Sequence, residues 1–338
     1  MRYFALCVIA VGALGCGDDD GSGGNAGSGG AAGTAGSGGA TLLLDEYILE
    51  DDALVPESGA FDSESRSFFV GSASEGSITR VEADGTELVV YEPPAEETWR
   101  TLGIAIDADA RRLWACAQEG ETGATTTQEL WIFDLPDGER TATLDLATAA
   151  EGSTCNDIAL DSSGLAYVSD SANPRVYRAD AAAQSVEVWA DDPLLAAEGA
   201  NFGGNGIAVT EDDAFVLLSK TLATVSTPRL LRIARGDPTN IVGINTTPEL
   251  SGAADGMSFL GGDLYLAIVG TGEVVRLVSG DDWANATVTV TAAVAGTSTV
   301  RPAEGQLYGI YSDITALLLG NPVSPPFRIF RIDLSSFE

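Results

Sequence analysis

The chain has no histidine. That removes every histidine-based catalytic triad and every histidine-ligated zinc site at once. Basic residues are also scarce: 17 Lys and Arg stand against 50 Asp and Glu, a formal net charge of −33. No basic patch survives that balance, so nucleic acid is not an expected partner. Solvation of an extracytoplasmic surface accounts for most of the carboxylates, and attraction of cations is the sharper reading for a few. Long apolar runs are missing too. Residues 3–14, behind Met1 and Arg2, form an apolar run too short to span a bilayer, and they read as a secretory signal.

Cysteine is sparse, at Cys7, Cys16, Cys116 and Cys155. Ala13-Leu14-Gly15-Cys16 resembles a bacterial lipobox, with Leu14 where a small residue is usual. That resemblance implies residues 1–16 as a lipoprotein signal peptide, Cys16 as the acylated first mature residue, and a place in the bacterial cell envelope. Residues 17–40 are Gly, Ser, Ala and Asp for the most part and have no side chains with which to build a core. They read as a disordered tether spanning roughly 25–30 Å. Cys7 leaves with the signal. Cys116 and Cys155 remain in the domain, either as a disulfide between neighbouring repeats or as two buried thiols.

From residue 41 to residue 338 the signals are those of strands, with turn residues between them. Residues 155–180 show the unit most clearly: three short apolar strands broken by Asp161-Ser162-Ser163-Gly164 and by Asn173-Pro174. The unit recurs with openings at Glu57, Leu102, Asn156, Asn205, Asp255 and Glu304, at spacings of 45, 54, 49, 50 and 49 residues. A period of that size, with several strands per unit, predicts an all-β, six-bladed β-propeller of four-stranded blades. The last unit ends at its third strand, with residues 314–319 read as its second. Residues 41–49 are expected to supply the fourth strand and close the ring. Arginines recur in the third strands at Arg80, Arg178, Arg232, Arg276 and Arg331. They are expected to pair with acids of a neighbouring blade.

The first strand of a propeller blade lines the channel, so the six opening residues gather at one mouth. Five of the six are oxygen donors in otherwise apolar strands. Carboxylates and amides converging from several blades suit a hard cation such as Ca2+. Asn205-Gly206 and Asp255-Gly256 also fit plain turns, but Glu57 has no such explanation.

The stretches VPESGAFDSESRSFFVGS, TCNDIALDSSGLAYVSDS, GGNGIAV and ADGMSF resemble the senescence marker protein/gluconolactonase/luciferin-regenerating enzyme-like family, over about residues 53–319. The resemblance implies a six-bladed propeller with one divalent cation in the channel. Glu57, Asn205 and Asp255 match the metal ligands, and Asp255 also matches the proposed general base. Asn156 matches a residue that binds substrate or metal-bound water. Sugar-lactonase members have an arginine where Thr154 stands here, a departure that weighs against an aldonolactone substrate.

The expectation is a monomeric, lipid-anchored hydrolase of lactones or esters acting on a small-molecule substrate. The competing expectation is a non-catalytic envelope propeller that binds a ligand or protein partner, with residues 119–128 forming a loop over the mouth.

Overall fold

The structure is a computed structural model describing residues 42–120, 127–196, 203–220, 229–250, 252–269, 271–292 and 294–337. The signal segment, Cys16, the tether and the middle of the 119–128 loop lie outside the described residues.

Strand β1 (Glu46–Ile48) comes first. Blade one is β2 (Pro56–Asp62), β3 (Ser67–Ser72), β4 (Ile78–Val81) and β5 (Glu87–Tyr91). Blade two is β6 (Trp99–Asp107), β7 (Arg112–Glu119), β8 (Thr127–Asp134) and β9 (Glu139–Asp145). Blade three is β10 (Cys155–Leu160), β11 (Ala166–Asp170), β12 (Arg175–Asp180) and β13 (Ser185–Asp191). Blade four is β14 (Gly204–Val209), β15 (Phe215–Lys220), β16 (Leu230–Ala234) and β17 (Asp237–Gly243). A short linker strand, β18 (Asn245–Thr247), adds a parallel edge to blade five, which is β19 (Ala253–Leu260), β20 (Asp263–Val269), β21 (Glu273–Val278) and β22 (Asn285–Ala292). Blade six is β23 (Thr297–Ala303), β24 (Gln306–Tyr311) and β25 (Arg328–Ile332), with β1 as its fourth strand.

The first strands β2, β6, β10, β14, β19 and β23 contact one another in turn around the axis, and β23 returns to β2. This is the expected six-bladed ring, closed by the N-terminal strand. Tyr47 locks the closure: it is 2% exposed and its ring meets Phe68 and Tyr308 at centroid distances of 5.5 and 6.4 Å.

The second strands are buried on both faces, because each blade is sandwiched between two others. Their aromatic and β-branched residues fill the inter-blade layers; between blades one and two, Phe69, Trp99, Trp131 and Phe133 form one such cluster. The Asp161–Gly164 turn is built as its sequence requires. The Asp161 carboxylate accepts from the amides of Ser163 and Leu165 at 2.9 and 3.1 Å, and Gly164 takes a φ of 81°.

Blade six differs from the sequence expectation. Its first strand is β23, and residues 304–309 are not the opening of that strand. Glu304 and Gly305 form the turn that follows, with φ of 50° and 76°, and most of the expected second strand is a short helix, α1 (Ile314–Leu318). An acid-glycine turn imitates the acid-glycine start of an inner strand, which is why the period of 49 misleads there.

The arginine series also falls out differently. Arg80 pairs with Glu82, Arg178 with Glu187, Arg276 with Asp263 and Arg331 with Asp45, all within one sheet or its own turns. Arg232 reaches the next blade, at the carbonyl of Asp282. At the ends of the blades, ion pairs to a neighbouring blade come from turn arginines instead. Arg66 binds Glu304, Arg111 binds Asp62 and Arg235 binds Asp161.

Cys116 of β7 and Cys155 of β10 form a disulfide that staples blade two to blade three, with Cα atoms 5.4 Å apart and both sulfurs in the core.

Candidate functional site

Each first strand slips register against its second strand, and the slips fall at one level of the ring. The residues within these bulges are Glu57-Ser58, Leu102-Gly103, Asn156-Asp157, Asn205-Gly206, Asp255-Gly256 and Ser298. A β-bulge releases its residues from the ladder and re-aims their side chains, so six bulges at one level turn a ring of side chains toward the axis. Glu57, Asn156, Asn205 and Asp255 all sit in this ring, each from a different blade.

The ring is tight because several bulges contain glycine. A Cβ on Gly206 would overlap the carbonyl of Asp255, and one on Gly103 would overlap the backbone of Asn156 and Asp157. Three buried serines hold the ring from behind. Ser169 donates to the carbonyl of Asn205 at 2.6 Å, Ser219 to that of Asp255 at 3.0 Å and Ser298 to that of Glu57 at 2.6 Å. Each serine comes from the blade preceding the residue it holds, so the neighbouring blade fixes the orientation of Glu57, Asn205 and Asp255.

Glu57, Asp157 and Asp255 are 7%, 3% and 6% exposed. Burial first, then repulsion from Asp255 and Asp157, pushes the Glu57 carboxyl well above its ordinary range. Burial and the charge of Asp157 push Asp255 up to about 7, against the pull of an Asn205 hydrogen bond. Burial also raises Asp157, opposed by Arg301. The Arg301 guanidinium, 3.2 Å from Asp157, is the countercharge that these three carboxyls share. Glu57 Oε2 and Asn156 Oδ1 are buried oxygen atoms without a hydrogen-bond donor.

Among the described residues no three Asp, Glu, Cys or His side chains group closely enough to hold a metal ion. A cation here would therefore use two carboxylates, Glu57 and Asp255, with amide oxygens of Asn205 and Asn156. That donor set fits a hard cation completed by water, and it includes two buried oxygens, Glu57 Oε2 and Asn156 Oδ1, that no donor satisfies.

The other expected residues separate. Leu102 occupies the blade-two bulge but packs against apolar cores. Thr154 lies two residues before Asn156, its amide bonded to Asp170 at 3.0 Å. Glu304 is far from the ring; it sits in the outer turn, bound to Arg66 at 2.5 Å and 38% exposed.

Asp157 and Arg301 are the residues that sequence reasoning missed. The signal for Arg301 is comparative: three places beyond the ring stand Ala60, Ala105, Ala159, Ala208 and Ser258 in the other five blades. Five small residues make room for one long one.

Beyond Arg301 the channel continues as an apolar chamber of about 330 Å³, lined by Phe61, Ile104, Leu160, Val209 and Phe259 among others. Arg301 thus stands between an acidic mouth and an apolar far end.

The fold is shared with solved structures of low sequence identity. The major allergen Mala s 1 of Malassezia sympodialis aligns with a TM-score of 0.70 at 14% identity, over 87% of this chain and 98% of that one. A luciferin-regenerating enzyme aligns at 0.60 and 12%, covering 85% and 94%. A gluconolactonase of Xanthomonas campestris aligns at 0.55 and 18%, covering 86% and 88%. A search of curated proteins returns no match to the sequence. The SMP-30/gluconolactonase/LRE-like region matches residues 55–299, which include every bulge of the ring. The chain belongs to the SMP-30/gluconolactonase/LRE-like family.

Proposed function

We propose that the protein hydrolyses lactones or esters at the acidic mouth of the channel with the help of a divalent cation, Ca2+ in the first instance. One observation carries this reading: four oxygen-bearing side chains, Glu57, Asn156, Asn205 and Asp255, sit at matching bulges of four blades, with more buried carboxylates than countercharges.

Glu57, Asn205 and Asp255 would hold the cation. When bound, it would polarise the substrate carbonyl and lower the pKa of water. Asn156 would orient the carbonyl or the attacking water through its side-chain amide. Asp255 would accept a proton from the attacking water, as a weaker base once the cation is bound beside it. Water adds to the carbonyl carbon, the ring or ester C–O bond breaks, and the proton passes to the departing oxygen. Thr154 stands where sugar-lactonase members have an arginine, which favours other lactones and esters over polyhydroxylated sugar lactones.

On this reading the mature protein is a monomer attached to the bacterial cell envelope through Cys16 and the tether of residues 17–40. Its only membrane contact is the anchor, and its ligand is a small molecule. Assay of a lactone and ester panel tests the proposal. Hydrolysis is expected with Ca2+, loss is expected with EDTA, and Asp255→Asn should lower kcat by about 10²-fold or more. A protein that melts higher with Ca2+ yet hydrolyses nothing on the panel would instead be a binding propeller.

A further inference from the structure

We infer that Arg301 is a positioning residue for the channel site, a strut that holds three ring bulges in place from a blade that supplies no ligand. The inference rests on the proposed reading of the ring as a cation site and adds the device that sets its geometry.

Arg301 is 7% exposed and spans the channel from β23. Its Nε donates to the carbonyl of Gly59 at 2.5 Å and its Nη2 to Ser58 Oγ at 2.8 Å, both in the bulge region that carries Glu57. Its Nη1 donates to the carbonyl of Met257 at 3.1 Å and to Ser258 Oγ at 3.0 Å, just beyond Asp255. Nη2 also reaches Asp157 Oδ1 at 3.2 Å, next to Asn156. One planar guanidinium therefore ties together the chain beside Glu57, Asn156 and Asp255. A lysine ammonium has three donors on a single atom and cannot span these points. The alanines at the same level in four blades and Ser258 in the fifth leave the space the guanidinium occupies.

Charge and geometry make opposite predictions. A guanidinium near a cation site repels the cation, so a purely electrostatic role implies tighter cation binding when Arg301 is removed. A strut implies weaker binding.

The test uses the full propeller with the double substitution Arg301→Met and Asp157→Asn, which removes one positive and one negative charge together and leaves no half of that ion pair behind. Calorimetric titration with Ca2+ is expected to show affinity at least about tenfold below that of the unsubstituted protein. Arg301→Lys is expected to be weakened likewise. Unchanged or tighter binding in a folded double variant would overturn the inference. Failure of the unsubstituted protein to bind any divalent cation would instead remove the cation reading, and hydrogen exchange then decides the strut. Faster exchange confined to peptides covering residues 57–60, 155–158 and 255–259, with outer strands unchanged, supports it. Uniform acceleration, or none, contradicts it.

Discussion

Asp255 condenses the chemistry of the site into one side chain. Its ordinary value is 3.8, and burial beside Asp157 holds it up to about 7. The unfolded chain gives up this proton near the ordinary value, while the folded chain keeps it until about neutrality. Between those limits the folded form binds more protons, so its stability falls as pH rises. Glu57 acts in the same direction. Thermal melts in EDTA are therefore expected to fall from about pH 5 to pH 8, and saturating Ca2+ should flatten that decline by compensating the charge. Melting temperatures in EDTA that rise across this range would show that the acids are not held in their raised state.

Legibility was uneven at the same scale. Glu57, Asn156, Asn205 and Asp255 were readable because polar residues stood out at a repeating place in apolar strands. Glu304 looked equivalent by spacing but belongs to a turn, since Glu-Gly suits a left-handed turn as well as the start of a strand. Asp157 and Arg301 were missed because a buried ion pair spanning 144 residues leaves no local pattern, and Arg301 stands out only when the same position is compared across all six blades.

The element that makes the site is the β-bulge, repeated once per blade. Its glycines matter for contact across blades. Gly206 faces the backbone of Asp255 and Gly256 so closely that a methyl group has no room. Gly206→Ala is expected to cost about 1–3 kcal/mol of stability through overpacking and to displace Asp255. Urea unfolding reads the first effect and Ca2+ affinity the second; a neutral substitution in both would mean that the neighbouring bulges are not in contact.

The bulges themselves are invisible in the sequence, since one extra residue in a short strand changes no composition. The expected openings at Glu57, Leu102, Asn156, Asn205 and Asp255 nonetheless fall in the first strands of five blades. Blade six escaped because its inner strand, TSTVRPA, carries Ser298, Thr299 and Arg301 among its seven residues and reads as a polar loop. The helix α1 (Ile314–Leu318) was read as a strand for the complementary reason: five apolar-rich residues fit either element.

At the scale of the whole molecule, the ring is held by three kinds of link. Apolar layers join every blade to the next, turn arginines join the outer rim, and the Cys116–Cys155 disulfide joins blades two and three. Closure depends on β1, which must dock against β25 although the intervening chain contains nearly the entire domain. This pairing was foreseeable from counting: six units with one strand missing at the end call for a strand at the start. Tyr47→Ala should lower stability by about 3 kcal/mol, the aromatic-to-alanine range for a buried ring, as measured by denaturant unfolding. A cost below ~1 kcal/mol would show that closure does not rely on that contact.

The central claim is that the ring of bulges binds a divalent cation through Glu57, Asn205 and Asp255. Calorimetric titration of Ca2+ into the propeller, alongside Glu57→Gln, tests it most directly. One site of submillimolar affinity is expected, weakened by about tenfold or more in Glu57→Gln while the fold is retained. No binding at millimolar Ca2+, or a site that Glu57→Gln leaves unchanged, would contradict it.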